Sequence, residues 1–206
     1  MFLDEILVQQ EIERSRGDKG QRLEEIKEEI LKKQREQKPI PEFVEELRNG
    51  SVTLGGRTYR CEQKQVLEGA VSVLLLPDDV EQVIENKPAA HIQYRSLQIG
   101  ETVFYVDSPV MIKDEQEYQN SLVQELKRGQ IPYQPIDTGH MKQGKQTICY
   151  ATGITVNVAG ALFIINYFIT GRPGFVSGNL ICKLQERFTF ENFFLAKLCL
   201  MGETDD

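Results

Sequence analysis

The sequence predicts an α+β domain in which a largely antiparallel β-sheet is flanked by helices and preceded by a helical hairpin. Three observations support this fold class. Short segments with period-two alternation are joined by glycine- or proline-containing turns, two later segments have the spacing and capping residues of amphipathic helices, and the composition changes after residue 38. With 206 residues, of which 40% are hydrophobic, the chain is long enough for one main core.

Composition and charge argue against several classes of function. Acidic residues outnumber basic ones 31 to 24, and the resulting net charge of -7 argues against a nucleic-acid partner. The first residues lack the basic start and apolar centre of a secretory signal, so we expect a cytoplasmic protein. The chain has two histidines and no CxxC pair, so we expect no metal, no cofactor and buried free thiols at Cys61, Cys149, Cys182 and Cys199.

The first 38 residues are a separate, highly charged segment. Ten acidic and nine basic residues make 19 of its 38 positions charged. Two apolar stripes at helical spacing, separated by a break at residues 17–20, predict a helical hairpin. The hairpin would dock on the main domain, on a second copy of the chain as a homodimer, or on another protein. Its apolar residues are Phe2, Leu3, Ile6, Leu7, Leu23, Ile26 and Ile30.

Residues 39–56 are predicted to be a linker with a short helix and the first strand, and residues 57–206 to be the α+β domain. The Pro-Ile-Pro run at the start of the linker begins a helix that ends at Asn49 and Gly50. The pair of glycines after SVTL predicts a hairpin that joins this strand to RTYRC.

The next segment predicts a strand followed by a short helix. The apolar run AVSVLLL has the composition of a buried strand. Asp78, with Glu81 three residues later, resembles a capping box and predicts a helix that carries Val80, Val83 and Ile84.

Two more strands and a long helix follow. The strands begin at His91 and Thr102, and Gly100 is predicted to be the turn between them. Asp114 is in the position of an N-cap for an amphipathic helix that continues to Arg128.

Residues 146–171 form a run of 26 positions without a charged side chain. The run is long enough to cross a membrane, but its period-two alternation and central break favour a buried β-hairpin, so we expect no stable membrane span. A strand, FVSGNLICKL, and a final helix complete the domain. The apolar face of that helix is Phe190, Phe193, Phe194, Leu198 and Met201.

Two short motifs match known functional patterns only in part. The stretch GHMKQGK at 139–145 fits the start of a phosphate-binding loop, but Gln146 stands where that loop needs Ser or Thr. A hairpin loop is therefore predicted. The tripeptide DTG at 137–139 is that of aspartic proteases, but polar residues follow it and a turn is predicted.

His91 and His140 are the only histidines of the chain. They are the candidates for a general acid or base near neutral pH. An enzyme that uses His140 with Asp137, or His91, is therefore an alternative function.

Three stretches of the sequence resemble the PsbP-like superfamily, which includes the Ran guanine-nucleotide release factor, DcrB-type lipoproteins and Eag-type effector chaperones. They are VLEGAVSVLLLPDDV at 66–80, TVFYVDSPVMIKDEQEYQNSLVQELK at 102–127 and ALFIINYFITGRPGFVSGNLICKLQERFTFENFFLAKLCL at 161–200. The resemblance implies an α/β/α sandwich with an antiparallel sheet. It also implies a binding, accessory or chaperone role without catalytic residues, and it does not include the charged N-terminal hairpin.

Together these observations predict a non-enzymatic protein-binding module that acts as an adaptor or chaperone-like accessory protein, for example in a secretion system. Its contact surface would be the N-terminal apolar stripes or an open sheet face. An immunity-type inhibitor that meets a basic toxin site with acidic side chains is a further alternative. The candidate sheet residues are Phe104, Tyr105, Tyr167 and Phe168, and the acidic ones are Asp78, Asp79, Glu81 and Glu85.

Overall fold

A computed structural model describes residues 37–107, 114–157, 160–171 and 174–201. Its central element is an antiparallel sheet of seven strands in the order β5-β6-β7-β11-β10-β9-β8, and two small hairpins, β1-β2 and β3-β4, accompany it. The strands are β1 Ser51–Leu54, β2 Arg57–Arg60, β3 Glu62–Val66, β4 Val71–Leu75, β5 Val80–Asn86, β6 Ala89–Tyr94, β7 Gly100–Val106, β8 Tyr133–Gln143, β9 Gln146–Asn157, β10 Gly160–Thr170 and β11 Phe175–Lys183. The helices are α1 Ile40–Arg48, α2 Glu115–Arg128 and α3 Arg187–Met201, and a 3₁₀ turn, Leu184–Glu186, precedes α3.

One face of the sheet, which we call the core face, is covered by α1, α3 and the hairpin strand β4. α3 is buried along its last nine residues because it lies between the sheet and these other elements. Phe43 of α1 packs against Phe193 of α3, with ring centroids 5.9 Å apart. Burying whole aromatic side chains in this way supplies much of the hydrophobic stabilisation of a domain of this size.

The opposite face, which we call the outer face, is only partly covered within the described part of the chain. α2 lies on β8 and β9. Its Tyr118 ring packs on Phe168 at 4.7 Å and its hydroxyl donates a hydrogen bond of 3.3 Å to the Tyr167 carbonyl oxygen. Strands β5, β6 and β7 lie beyond α2, and side chains that point outward from them are exposed or half-buried.

Several predicted elements are confirmed. The β1-β2 hairpin turns at the two glycines, α2 begins after Asp114, and the carboxylate of Asp114 accepts a hydrogen bond of 2.8 Å from the backbone N–H of Glu117. The uncharged run 146–171 forms the β9-β10 hairpin, and GHMKQGK forms the end of β8 and the turn into β9. No helix in the described ranges has the length and hydropathy that crossing a bilayer requires.

Three local predictions are wrong. The segment after Asp78 is strand β5, because its β-branched residues pair with β6 and the carboxylate of Asp79 accepts hydrogen bonds from the β6–β7 loop. Gly100 is the first residue of β7 and not a turn. The tripeptide DTG lies inside β8, where it pairs with β9 beside a register shift between Pro135 and Asp137.

The segment 39–56 is an integral part of the same compact unit as the sheet, since β1 pairs with β2 and α1 packs on α3. The predicted N-terminal helical hairpin, with its seven apolar residues, lies outside the described residues.

Candidate binding surface on the outer sheet face

The uncovered part of the outer face is built by period-two alternation in β5, β6 and β7. Strand pairing sets His91 opposite Ile84 on one side and opposite Thr102 on the other, and Thr102 is opposite Asn179 of β11. Three consecutive strands and the distant strand β11 therefore contribute neighbouring side chains. We call this surface the open half-face; its outward residues include Gln82, Ile84, His91, Gln93, Gly100, Thr102, Phe104 and Val106.

A cleft of about 620 Å³ lies on the open half-face. Neutral polar side chains line most of it, and Glu81 and Arg95 lie at the end nearest the β6–β7 loop. The floor is the backbone of β6, β7 and β11. The neutral polar residues are Gln82, His91, Gln93, Gln98, Thr102 and Asn179.

Hydrogen bonds join some of these side chains in pairs. The Nε2 of Gln82 donates to the Oε1 of Gln93 at 3.0 Å, and the Nδ1 of His91 lies 3.1 Å from the Oγ1 of Thr102. The Oδ1 of Asn179 is buried, and it has no hydrogen-bond partner among the described residues. A buried acceptor without a partner is uncommon in folded proteins. Asn179 lines the cleft, but its Oδ1 is enclosed by the chain itself.

Apolar side chains adjoin this polar cleft. Ile84 and Val106 are 42% and 43% exposed, which is high for large aliphatic residues, and Phe104 is half-buried between them on the same face. Apart from Glu81 at one end of the cleft, the outward-pointing residues of β5, β6 and β7 carry no formal charge when histidine is neutral. The surface therefore combines exposed apolar groups with uncharged hydrogen-bonding groups.

Comparison with known proteins gives a fold and no family assignment. No family profile and no curated protein matches the chain. The solution structure of cyanobacterial PsbP (CyanoP) from Synechocystis sp. PCC 6803 superposes with a TM-score of 0.55 at 9% identity, covering 71% of this chain and 94% of that one. The chain has a PsbP-like fold. A Pseudomonas aeruginosa protein of unknown function matches with a TM-score of 0.45 at 8% identity, covering 68% of this chain and 94% of that one.

The PsbP-like fold confirms the expectation from the three sequence stretches. An identity of 9% establishes the architecture and leaves the function to be argued from the residues of this chain.

The core face of this PsbP-like sheet contains a buried ion pair that contrasts with the open half-face. The Nζ of Lys197 lies 2.5 Å from the Oε2 of Glu101 and 3.5 Å from the hydroxyl of Tyr94, and both charged side chains are 1% exposed. Burial raises the pKa of Tyr94 to about 12. Burial alone would lower the pKa of Lys197, but the adjacent Glu101 carboxylate outweighs it and the net shift is upward.

The four candidate contact residues of the sheet do not lie on one surface. Phe104 is on the open half-face, whereas Tyr105 packs against the core. Tyr167 and Phe168 are 0% exposed, so the expectation that they form surface is wrong. Both belong to β10, where the core on one side and α2 on the other cover the strand.

The proposed acid–base pair of His140 and Asp137 is not formed. The two residues are three apart on β8, so their side chains leave opposite faces of the strand, and the Nδ1 of His140 lies 3.0 Å from the Oε1 of Glu115. His91 contacts a threonine hydroxyl, which cannot orient it as a carboxylate would. Within the described ranges, no three His, Cys, Asp or Glu side chains converge as metal ligands.

The four cysteines are buried free thiols, as predicted. Burial raises the pKa of Cys61 and Cys149 to about 11 and that of Cys182 to about 12. These thiols therefore remain protonated near neutral pH and lack the thiolate that nucleophilic chemistry needs.

The acidic residues proposed for an inhibitor do not share a surface. Asp79 is 5% exposed, and its carboxylate accepts hydrogen bonds from the backbone N–H groups of Ser96 and Leu97. Glu85 accepts a hydrogen bond of 2.7 Å from the backbone N–H of Leu67. These two carboxylates stabilise loops of the chain itself.

Sequence reasoning missed Gly100, Gln93, Thr102 and Asn179. The alternation in HIQYRS and TVFYVDS is a usable signal, since it places residues 91 and 93, and residues 102, 104 and 106, on common faces. It does not reveal that β11 lies beside β7, because that pairing joins residues that are 69 to 81 positions apart.

Proposed function

We propose that the chain is a non-enzymatic protein-binding module of the adaptor or chaperone type, and that the open half-face is its recognition surface. The observation that carries this proposal is the division of the outer face: α2 covers β8 and β9, whereas the exposed Ile84 and Val106 lie on the strands beyond it.

Covering those apolar side chains favours association. Each buried large aliphatic side chain contributes roughly 1.5–3 kcal/mol relative to its exposed state. The packing of Tyr118 on Phe168 illustrates how an element lies on the outer face, and a partner segment would lie on the adjacent strands in the same way. Single exposed aliphatic residues are ordinary. Here Ile84 of β5 and Val106 of β7 share the sheet face that carries the cleft.

The charge of the open half-face indicates which kind of partner segment it can bind. The chain carries a net charge of -7, yet the outward residues of β5, β6 and β7 are formally neutral except for Glu81, and Arg95 lies at the same end of the cleft as Glu81. Away from that end, a strongly basic or acidic partner segment would find no compensating charge and would lose hydration. An uncharged, partly apolar segment of another protein therefore fits this surface best.

The test is capture of a partner from native lysate by the full chain and by two matched variants. Val106→Asp places a charge on the open half-face, whereas Val156→Asp makes the same change on β9 at a valine that is 53% exposed. We expect a stoichiometric protein to be retained by the wild type and by Val156→Asp and to be lost by Val106→Asp.

Capture by the wild type alone would not support the proposal, since any exposed surface could be responsible. Retention of the same protein by both variants would contradict it, and so would loss from both. Circular dichroism of each variant ensures that the comparison is made between folded chains.

A further inference from the structure

The two edges of the large sheet differ in how well they are protected from pairing with another strand. β8, at one edge, contains Pro135, which has no N–H, and a register shift directly after it. The N–H of Thr138 donates to the carboxylate of its neighbour Asp137, and α2 lies on the strand. Proline, bulges and covering elements are common means of preventing an edge strand from pairing with another strand.

β5, at the other edge, lacks these features over residues 82–86. Its pairing with β6 is regular from Gln82 to Asn86, and β6 is its one neighbour among the described strands. Residues 82–86 are exposed, apart from Val83, which is half-buried. An edge strand of this kind presents a row of unpaired backbone groups to solvent.

The hydrogen bonds of β6 show in which direction its backbone groups point. The N–H of Tyr94 donates to the carbonyl oxygen of Ile99, just before β7. The carbonyl oxygen of Pro88, just before β6, accepts from the N–H of Tyr105 in β7. Because these directions alternate along a strand, the even-numbered residues of β6 bond towards β7 and the odd-numbered ones bond towards β5.

The outward backbone groups of β5 follow from this alternation. Ile84 is opposite His91, an odd-numbered residue of β6, so the N–H and C=O of Ile84 are used within the sheet. Val83 and Glu85, on either side of it, direct their N–H and C=O groups away from β6. The edge therefore offers two donors and two acceptors at the spacing that another strand requires.

A second copy of β5 fits this edge. Antiparallel pairing about a two-fold axis at Ile84 sets Val83 opposite Glu85 of the second copy, and each such pair exchanges two backbone hydrogen bonds. The two Ile84 side chains then meet in a non-hydrogen-bonded pair on the outer face, where opposite Cα atoms are about 4.5 Å apart. Ile84 is 42% exposed in the single chain, so this contact removes apolar surface from water.

The charges of β5 favour this register over the adjacent ones. A shift by one residue would bring side chains of the core face onto the outer face. A shift by two would set Glu85 opposite itself or opposite Glu81, and like charges directly opposite each other destabilise a sheet. In the register centred on Ile84, Lys87 instead follows the strand at the place where Glu81 of the second copy lies. Opposite charges thus meet at both ends of the paired segment.

We propose that β5 pairs with β5 of a second copy of this chain across a two-fold axis at Ile84, which joins the two large sheets into one. Opposite residues of an antiparallel pair point to the same face, so the two open half-faces lie side by side on one face of the joined sheet. This association goes beyond the proposed function, which concerns the surface of one chain, and it gives the dimer two adjacent recognition surfaces.

The test is sedimentation-velocity ultracentrifugation of the full-length chain between about 10 µM and about 1 mM, the range in which a small interface associates. We expect a reversible monomer–dimer equilibrium. Ile84→Lys places two ammonium groups opposite each other at the axis and should weaken dimerisation by roughly tenfold. Ile131→Lys is the matched control, because Ile131 is 48% exposed and lies outside the strands, and it should leave the equilibrium unchanged.

Hydrogen exchange followed by NMR distinguishes strand pairing from any other dimer contact. The amides of Val83 and Glu85 should become protected as the protein concentration rises, because they donate hydrogen bonds across the interface only in the dimer. The amide of Ile84 already bonds to β6 and should change less.

A chain that stays monomeric at the highest concentration would overturn the proposal. A dimer that Ile84→Lys leaves intact, one that both variants abolish, or one in which Val83 and Glu85 gain no protection would overturn it too. Protection of these two amides only by a protein captured from lysate would assign the edge of β5 to that protein and would also overturn self-pairing. The wild-type exchange measurement decides the question even if a variant fails to fold.

Discussion

Polar groups have opposite environments on the two faces of the seven-stranded sheet. On the core face, Lys197 and Glu101 are 1% exposed and are bonded to each other. On the outer face, beyond α2, the buried oxygen of Asn179 has no described partner, and Ile84 and Val106 are exposed. Polar groups on the core face are therefore part of the stability of the fold, whereas the exposed side chains of His91 and Gln93 on the open half-face are accessible to a partner.

This difference between polar groups follows from the face of the sheet to which each side chain points. Adjacent residues of one strand have opposite roles: Glu101 points to the core and Thr102 to the cleft. A one-residue step along β7 changes the environment from fully buried to partly exposed, because side chains alternate across a strand. Variants of residues on the two faces should therefore affect different measurements.

The largest expected effect is that of Lys197→Met. Removing one partner of a buried ion pair leaves Glu101 uncompensated, which should lower the free energy of unfolding by about 3–5 kcal/mol. Urea denaturation followed by circular dichroism measures this change. The double variant Lys197→Met, Glu101→Leu should recover most of the loss, since apolar replacement of a whole buried pair is often neutral or stabilising. A single-variant loss below about 1 kcal/mol would contradict the assignment of this pair to the stability of the core.

Asp79→Ala should have the next largest effect. The carboxylate, on a residue that is 5% exposed, accepts hydrogen bonds from the backbone of Ser96 and Leu97 and from the Ser96 hydroxyl, and removing it breaks all three. We expect the free energy of unfolding to fall by about 2–4 kcal/mol. Asp78→Ala is the matched control, because Asp78 is exposed and its loss should change stability by less than about 0.5 kcal/mol. Equal effects of the two variants would contradict the structural role of Asp79.

Alkaline pH should weaken the core face gradually. The pKa of Tyr94 is raised to about 12 by burial, and that of Lys197 is raised above its ordinary value by Glu101 in spite of burial. In the unfolded chain both groups lose their protons near pH 10, whereas in the folded chain they retain them. Stability should therefore begin to fall above about pH 8.5, where the thiols of Cys61, Cys149 and Cys182 lose their protons in the unfolded chain but not in the folded one, and should fall further above about pH 9.5 as Tyr94 and Lys197 do the same. The slope is about 1.4 kcal/mol per pH unit for each proton released on unfolding.

Denaturation curves measured between pH 8 and 11.5 test this slope. The double variant Lys197→Met, Glu101→Leu lacks the lysine contribution and should show a shallower decline. A stability that rises with pH over this interval would contradict the raised pKa values.

The smallest expected effect on stability is that of Val106→Asp. Val106 is 43% exposed, so the substitution should change the free energy of unfolding by no more than about 0.5 kcal/mol. Val103, three residues earlier on β7, is 0% exposed and faces the core, and Val103→Asp should prevent stable folding. Thermal denaturation of the two variants compares the two faces of β7 directly. Similar destabilisation by both would contradict the assignment of Val106 to the outer face and Val103 to the core face.

Locally determined elements could be predicted from the sequence. The N-cap at Asp114 and the apolar spacing after it are sufficient to place α2, and the uncharged alternating run is sufficient to place the β9-β10 hairpin. The predicted helix after Asp78 is wrong because the Asp79 carboxylate bonds to residues 17 and 18 positions later and not to the next turn of the chain. Local capping patterns do not reveal such distant partners.

The candidate site could be predicted only in part for the same reason. Phe104 was accessible to sequence reasoning as an aromatic residue on an alternating strand, but Tyr167 and Phe168 look equivalent in sequence and are buried. Their burial depends on α2 and α3, which lie on opposite faces of β10. The cleft itself requires three strand pairings, β5-β6, β6-β7 and β7-β11, and no single segment encodes it.

The most direct test of the central claim is hydrogen–deuterium exchange of the full chain, alone and bound to the captured partner. If the open half-face is the recognition surface, protection should increase in β5, β6 and β7 and remain unchanged in α1 and α3. Protection confined to α1 and α3, or to residues before Pro39, would contradict the claim and place recognition elsewhere on the molecule.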